Sequence, residues 1–115
     1  MLELEYLERK YVQKNSIEKR EYQVNLANKA IQENCIVVLP TGLGKTAIAL
    51  QVIAEYLSKG IGGVLFLAPT RVLVNQHYEF LKQNLTIDDI ALITGEDPIQ
   101  KRTKLWGSSV ICATP

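Results

Sequence analysis

The sequence predicts an α/β fold, a parallel sheet covered by helices, and three observations support that prediction. Short aliphatic and β-branched runs recur along the chain: "CIVVL" (35–39), "VLFLA" (64–68), "IALIT" (90–94) and "SVICA" (109–113). Between them lie stretches whose apolar residues return at helical spacing. The runs are apolar on both faces, as strands sandwiched between helices must be. No repeat, low-complexity tract or long linker interrupts the alternation.

The elements follow in order. From Arg20 to Asn34, Tyr22, Leu26, Ala27, Ala30 and Ile31 mark one helical face. "CIVVL" is the first expected strand. Lys45 to Ser58 reads as a helix with Ile48, Val52, Ile53, Tyr56 and Leu57 apolar, and "KGIGG" ends it, a lysine followed by glycines. "VLFLA" is the second strand and "TRVLVNQHYEFLKQN" the next helix. "IALIT", the short helix "PIQKRTKLW" and "SVICA" complete the pattern. Residues 1–15 are expected to be an N-terminal extension, and residues 16–115 the domain.

Composition narrows the class without choosing a function. The 115 residues are 47% hydrophobic and 22% charged, ordinary for a globular protein. No run of 18 apolar residues is present, and "MLELEYLERK" lacks the basic start and apolar core of a secretory signal, so a cytoplasmic protein is expected. Cys35 and Cys112 sit in apolar runs at no metal-ligand spacing, and both are expected reduced and buried. Net charge is +1, and the short basic clusters "EKRE" and "QKRTK" read as solvated helix faces.

The chemistry concentrates in "VVLPTGLGKTAIA" (37–49), where a strand hands over to a helix. Backbone N–H groups and the helix dipole converge there, which suits a phosphate chain. Gly42 and Gly44 allow a tight turn and a close approach by the ligand. Lys45 would bring its ammonium to the β- and γ-phosphates, and the Thr46 hydroxyl would ligate Mg2+. The strict phosphate-loop pattern has a glycine five residues before Gly44, where this chain has Leu39. On the pattern alone, a purely structural turn stays open. The strand before the loop and the helix after it favour phosphate.

With Leu39 in that place, residues 40–46, Pro-Thr-Gly-Leu-Gly-Lys-Thr, resemble the first motif of superfamily 2 helicases. Further segments follow in the expected order: "REYQ" (20–23) resembles the Q motif, "LAPTRVLVNQH" (67–77) motif Ia, "TGE" (94–96) the next nucleic-acid-contacting turn, and "ATP" (113–115) the start of another. The resemblance covers residues 16–115. It is closest to archaeal Hef and the Fanconi-anaemia group M type DNA helicases, while RNA-sensing and Dicer helicases share much of the pattern.

The resemblance implies a RecA-like P-loop sheet, ATP and Mg2+ as cofactors, and DNA, branched or forked, as partner. Arg20 and Gln23 would meet adenine. Pro40, Thr41, Gly42, Leu43, Gly44, Lys45 and Thr46 would hold the phosphates, with Lys45 and Thr46 catalytic and Thr46 on the metal. Pro69, Thr70, Arg71, Gln76, Gly95 and Thr114 would contact nucleic acid. The sequence stops before an Asp-Glu-x-His stretch, so an incomplete motor domain is expected, inactive alone and lacking its second RecA-like partner. In such sheets the strands of the later motifs lie between those of Lys45 and motif Ia, so 35–39 and 64–68 should not be neighbours. Other classes remain: an RNA-directed helicase, a non-catalytic nucleotide-binding module, or an autonomous DNA-binding fragment.

Several of these residues also have plainer readings. Tyr22 belongs to the core before it belongs to a stack. Arg20 supports Gln23 or is simply solvated. Thr70 caps the next helix. His77 packs or caps before it touches a ligand. Asp88 and Asp89 form a solvated loop, and Trp106 packs against the sheet.

Overall fold

The computed structural model describes residues 4–40, 44–60 and 62–115. Among these, β1 (Val64–Leu67), β2 (Ile90–Ile93) and β3 (Val110–Ala113) form one parallel sheet in the order β1-β3-β2. β3 is central, and all four of its residues are buried. Its register sets Leu67 of β1 and Ile93 of β2 both level with Ala113.

Alternation along each strand sorts the side chains onto two faces. Val64, Phe66, Ile90, Leu92, Val110 and Cys112 face one core, built with Leu50, Ile53 and Ala54 of α2 (Lys45–Lys59) and Val74 and Leu81 of α3 (Arg71–Asn84). Ile93, Ile111 and Ala113 face the other way, against Leu105 of α4 (Ile99–Leu105). α1 (Glu21–Gln32) packs on α2. The result is a three-layer partial RecA-like fold.

Local chemistry sets the ends of these elements. Gly60, at φ 67°, closes α2 through its N–H to the Leu57 carbonyl. The Thr70 hydroxyl accepts from the Leu73 N–H at 3.2 Å and caps α3, as its plainer reading required. At the opposite end of the sheet, Asp89 accepts from the Ser109 N–H (2.9 Å) and hydroxyl (2.8 Å). These bonds hold its carboxyl below the usual range. Asp89 is therefore a tie between the entries to β2 and β3 as well as a loop residue.

Three expectations are corrected. "CIVVL" joins no ladder among the described residues, and Ile36 and Val38 are 91% and 85% exposed. A strand exists only through its partner. β1 pairs with β3 on one edge and with no described residue on the other, so 35–39 and 64–67 form no ladder, as the resemblance implied. Cys35 lies in that segment and is exposed, whereas Cys112 is buried in β3 with its thiol pushed up to about 11. Trp106 is 54% exposed. Leu105 takes the sheet-facing position, and the next residue lies about 100° further round the helix.

Residues before α1 contribute to the core. Leu7 and Val12 are 5% and 6% exposed within the main cluster, and single antiparallel bridges join Tyr6 to Glu18 and Val12 to Leu85. Arg9 pairs with Glu55 of α2 at 3.1 Å. Leu7→Ala should therefore cost about 2–5 kcal/mol in urea unfolding, the usual loss for a buried leucine. A loss within about 0.5 kcal/mol, typical of a surface site, would show that the segment is detachable.

Candidate functional site

α2 starts at a turn that only glycine fits well. Gly44 has φ 79°, a left-handed conformation costly for other residues, and a Cβ there would collide with Nε2 of Gln23. Gln23 is 4% exposed, and its Nε2 also donates to the Tyr22 hydroxyl at 3.4 Å. Folding thus seats the carboxamide of α1 directly against the turn. The first turn of α2 carries no acidic residue, so the positive end of its dipole is available to an anion.

Around this contact lies a cleft of about 860 Å³. Arg20, Gln23, Gly44, Lys45 and Thr46 line one side, and Gln76 and His77 of α3 line the other. Lys45 is exposed and Thr46 half-buried, with Thr46 Oγ1 3.5 Å from His77 Nδ1. The His77 ring meets Phe66 of β1 with centroids 5.0 Å apart. Arg20 is paired with Glu18 at 3.4 Å. Pro40 is exposed and does not line the cleft, while Thr41, Gly42 and Leu43 lie outside the described residues.

The size is that of a cofactor site. An ammonium, a hydroxyl, a helix N-terminus and a buried amide beside a turn with no Cβ are groups that suit a magnesium nucleotide. The residues present are chemically compatible with such a group.

A second feature follows from the strand register. All three strands are parallel and end level, so Pro69 and Thr70 after β1, Gly95 after β2 and Thr114 after β3 meet at one edge of the sheet. This carboxyl edge is where open α/β sheets bind ligands. Pro69, Thr70 and Gly95 are exposed and Thr114 is half-buried. A cleft of about 470 Å³ there is lined by Arg71, Gln76, Thr94 and Glu96, among others. Gln76 lines both clefts.

Two partners at this edge are not legible from sequence. Glu96 pairs with Arg71, 25 positions away in sequence, in an exposed ion pair. Asp97 accepts from the Thr94 N–H at 2.8 Å and from Lys101 at 3.1 Å, and the Thr94 bond first, then Lys101, holds its carboxyl below the usual range. The depressed value means the turn is held above the ordinary Asp pKa near 3.8 and loosens as pH falls through the folded value.

These features agree with comparisons to known proteins. The sequence profile of the DEAD/DEAH box helicases matches residues 20–115, and the chain belongs to that family. Within it, the chain is an N-terminal RecA-like superfamily 2 domain related to archaeal Hef and to Fanconi-anaemia group M type DNA helicases. A Methanocaldococcus jannaschii protein, provisionally named as an ATP-dependent RNA helicase, is 44% identical over 96% of this chain and 14% of its own length. The Drosophila melanogaster DEAD-box ATP-dependent DNA helicase Fancm is 38% identical over 91% of this chain and 7% of its own. The crystal structure of the Pyrococcus furiosus Hef helicase domain superposes with a TM-score of 0.78 at 44% identity, covering 84% of this chain and 21% of that one. The chain thus spans a small part of each relative.

Gly44→Ala should lower stability by about 1–3 kcal/mol, the cost of a left-handed non-glycine. It should also displace the Gln23 carboxamide, visible as a side-chain amide shift in an NMR spectrum. An unchanged amide would separate the turn from Gln23.

Proposed function

We propose that this chain is the ATP-binding front of a DNA-directed superfamily 2 motor. One observation carries the reading: a single cleft joins a buried amide (Gln23), a phosphate turn (Gly44, Lys45, Thr46) and the flank of α3. The first residue of that helix, Arg71, stands at the carboxyl edge of the sheet. In this proposal Gln23 reads adenine, with Arg20 beside it. Lys45 neutralises the phosphates, and Thr46 offers its hydroxyl to Mg2+. Pro69, Thr70, Arg71, Gln76, Gly95 and Thr114 track a sugar-phosphate backbone. Magnesium, when bound, supplies charge neutralisation for phosphoryl transfer.

The relatives support the class. Fancm of Drosophila melanogaster and fml1 of Schizosaccharomyces pombe are named as ATP-dependent DNA helicases. The Methanocaldococcus name favours an RNA-directed reading as the second choice. For the complete protein we infer ATP hydrolysis coupled to unwinding or remodelling of branched DNA, with a second RecA-like domain. The outer edge of β1, unpaired among the described residues, and the exposed Ile36 and Val38 are where further strands of the sheet would fit. The 115 residues alone should bind ATP weakly and not hydrolyse it.

Two measurements test this. Lys45→Ala should weaken ATP binding by about 1.5–3 kcal/mol, the worth of a hydrogen bond to a charged group, and leave the affinity for single-stranded DNA unchanged. Equal ATP binding would remove the phosphate role from this lysine. Arg71→Ala should weaken DNA binding about equally across sequences and lower the salt slope by about one ion. A sequence-dependent loss would place Arg71 on bases, and a preference for RNA over DNA of the same sequence would favour the second reading.

A further inference from the structure

The only histidine in the sequence, His77, lines the proposed nucleotide cleft from α3, near Thr46. Its Nδ1 lies 3.5 Å from Thr46 Oγ1 and its ring rests on Phe66. We propose that His77 is a positioning residue for the Thr46 hydroxyl, turning that hydroxyl's lone pairs toward the metal. The inference rests on the reading of the cleft as a magnesium-nucleotide site.

The argument comes from what a hydroxyl can do. Threonine carries one O–H donor and two lone pairs on a rotor that is free unless something holds it. To ligate a cation it must present a lone pair, and its proton must then point to an acceptor. A neutral imidazole protonated on Nε2 offers an unprotonated Nδ1 as that acceptor. His77 Nδ1 is within reach of this hydroxyl, and the contact with Phe66 orients the ring. Partners of this kind, one step removed from a metal, typically change its affinity about 10–100-fold.

The placement also joins the two candidate surfaces. His77 lies six residues after Arg71 in α3, about 9 Å along the helix axis at 1.5 Å per residue. A shift of α3 caused by a strand at the carboxyl edge would therefore move Nδ1 relative to the Thr46 hydroxyl.

The test uses the 115-residue chain, a fluorescent N-methylanthraniloyl-ATP probe and a magnesium titration. His77→Phe keeps a ring against Phe66 but has no Nδ1. His77→Asn puts a polar atom near the Nδ1 position. His77→Phe should raise the magnesium concentration that half-saturates probe binding about 10-fold or more, within the range for such partners. Binding in excess chelator should not change, and His77→Asn should recover most of the loss. The wild-type imidazole needs no substitution: as the sole histidine, its nitrogen-15 spectrum should show Nε2 protonated and Nδ1 bare in the magnesium-nucleotide complex. An unchanged magnesium dependence in His77→Phe, alongside a loss in Thr46→Ala, would overturn the role of His77 alone. No effect of Thr46→Ala would overturn the reading of the site beneath it. His77→Asn no better than His77→Phe, or a protonated Nδ1, would reduce His77 to packing.

Discussion

The parallel ladder on both sides of β3 is the constraint on which the rest of this structure depends. Val110, Ile111, Cys112 and Ala113 are all buried, and their two neighbours run in the same direction at the same level. A parallel sheet cannot be closed by tight turns, so each connection must cross over through a helix. Those crossovers supply α3 and α4 on opposite faces. They also oblige every strand to end at the same edge, which places Thr70, Gly95 and Thr114 together although 44 residues separate the first from the last. Asp89 reinforces the register from the other end by tying Ser109 to the entry of β2.

That geometry gives α3 two duties. Its capped first turn stands at the carboxyl edge, and its flank forms a wall of the cleft opposite Gly44, Lys45 and Thr46. Residues 71–77 of α3 thus span the distance between the two clefts. The Arg71–Glu96 pair sits at the outer end of this helix. Being exposed, such a pair contributes about 0–1 kcal/mol and yields readily to a competing phosphate. The other end of the sheet's order is less protected. β1 has no partner on its outer side among the described residues, and Leu65 and Leu67 are about half exposed there. Such an edge invites pairing with another strand.

Local chemistry was legible in the sequence, and long-range pairing was not. Helical spacing located all four helices to within a few residues, because periodicity is written into neighbouring positions. Gly44 announced a turn, and the order of the motifs announced the family. "CIVVL" has every residue of a buried strand, yet whether it is one depends on a partner that no local pattern names. Trp106 looked like a core residue by size, but the adjacent Leu105 took the inward position. Residues 4–15 mix Leu4, Tyr6, Leu7, Tyr11 and Val12 with charged residues at no clear period, and Leu7 and Val12 nevertheless join the main cluster. The seat of Gln23 against Gly44, the His77–Thr46 approach and the Arg71–Glu96 pair all join residues at least 21 positions apart. None could be read without the fold.

The most direct test of this account is a pair of backbone NMR titrations of the chain, one with ATP and magnesium and one with single-stranded DNA. The fold predicts two separate sets of shifts. ATP should move residues 20–23 and 44–47, and DNA should move 69–71, 94–96 and 114. The two sets should overlap only at residues 76 and 77. ATP shifts confined to the carboxyl edge, or DNA shifts centred on residues 44–47, would contradict the assignment of the two surfaces and the role of α3 between them.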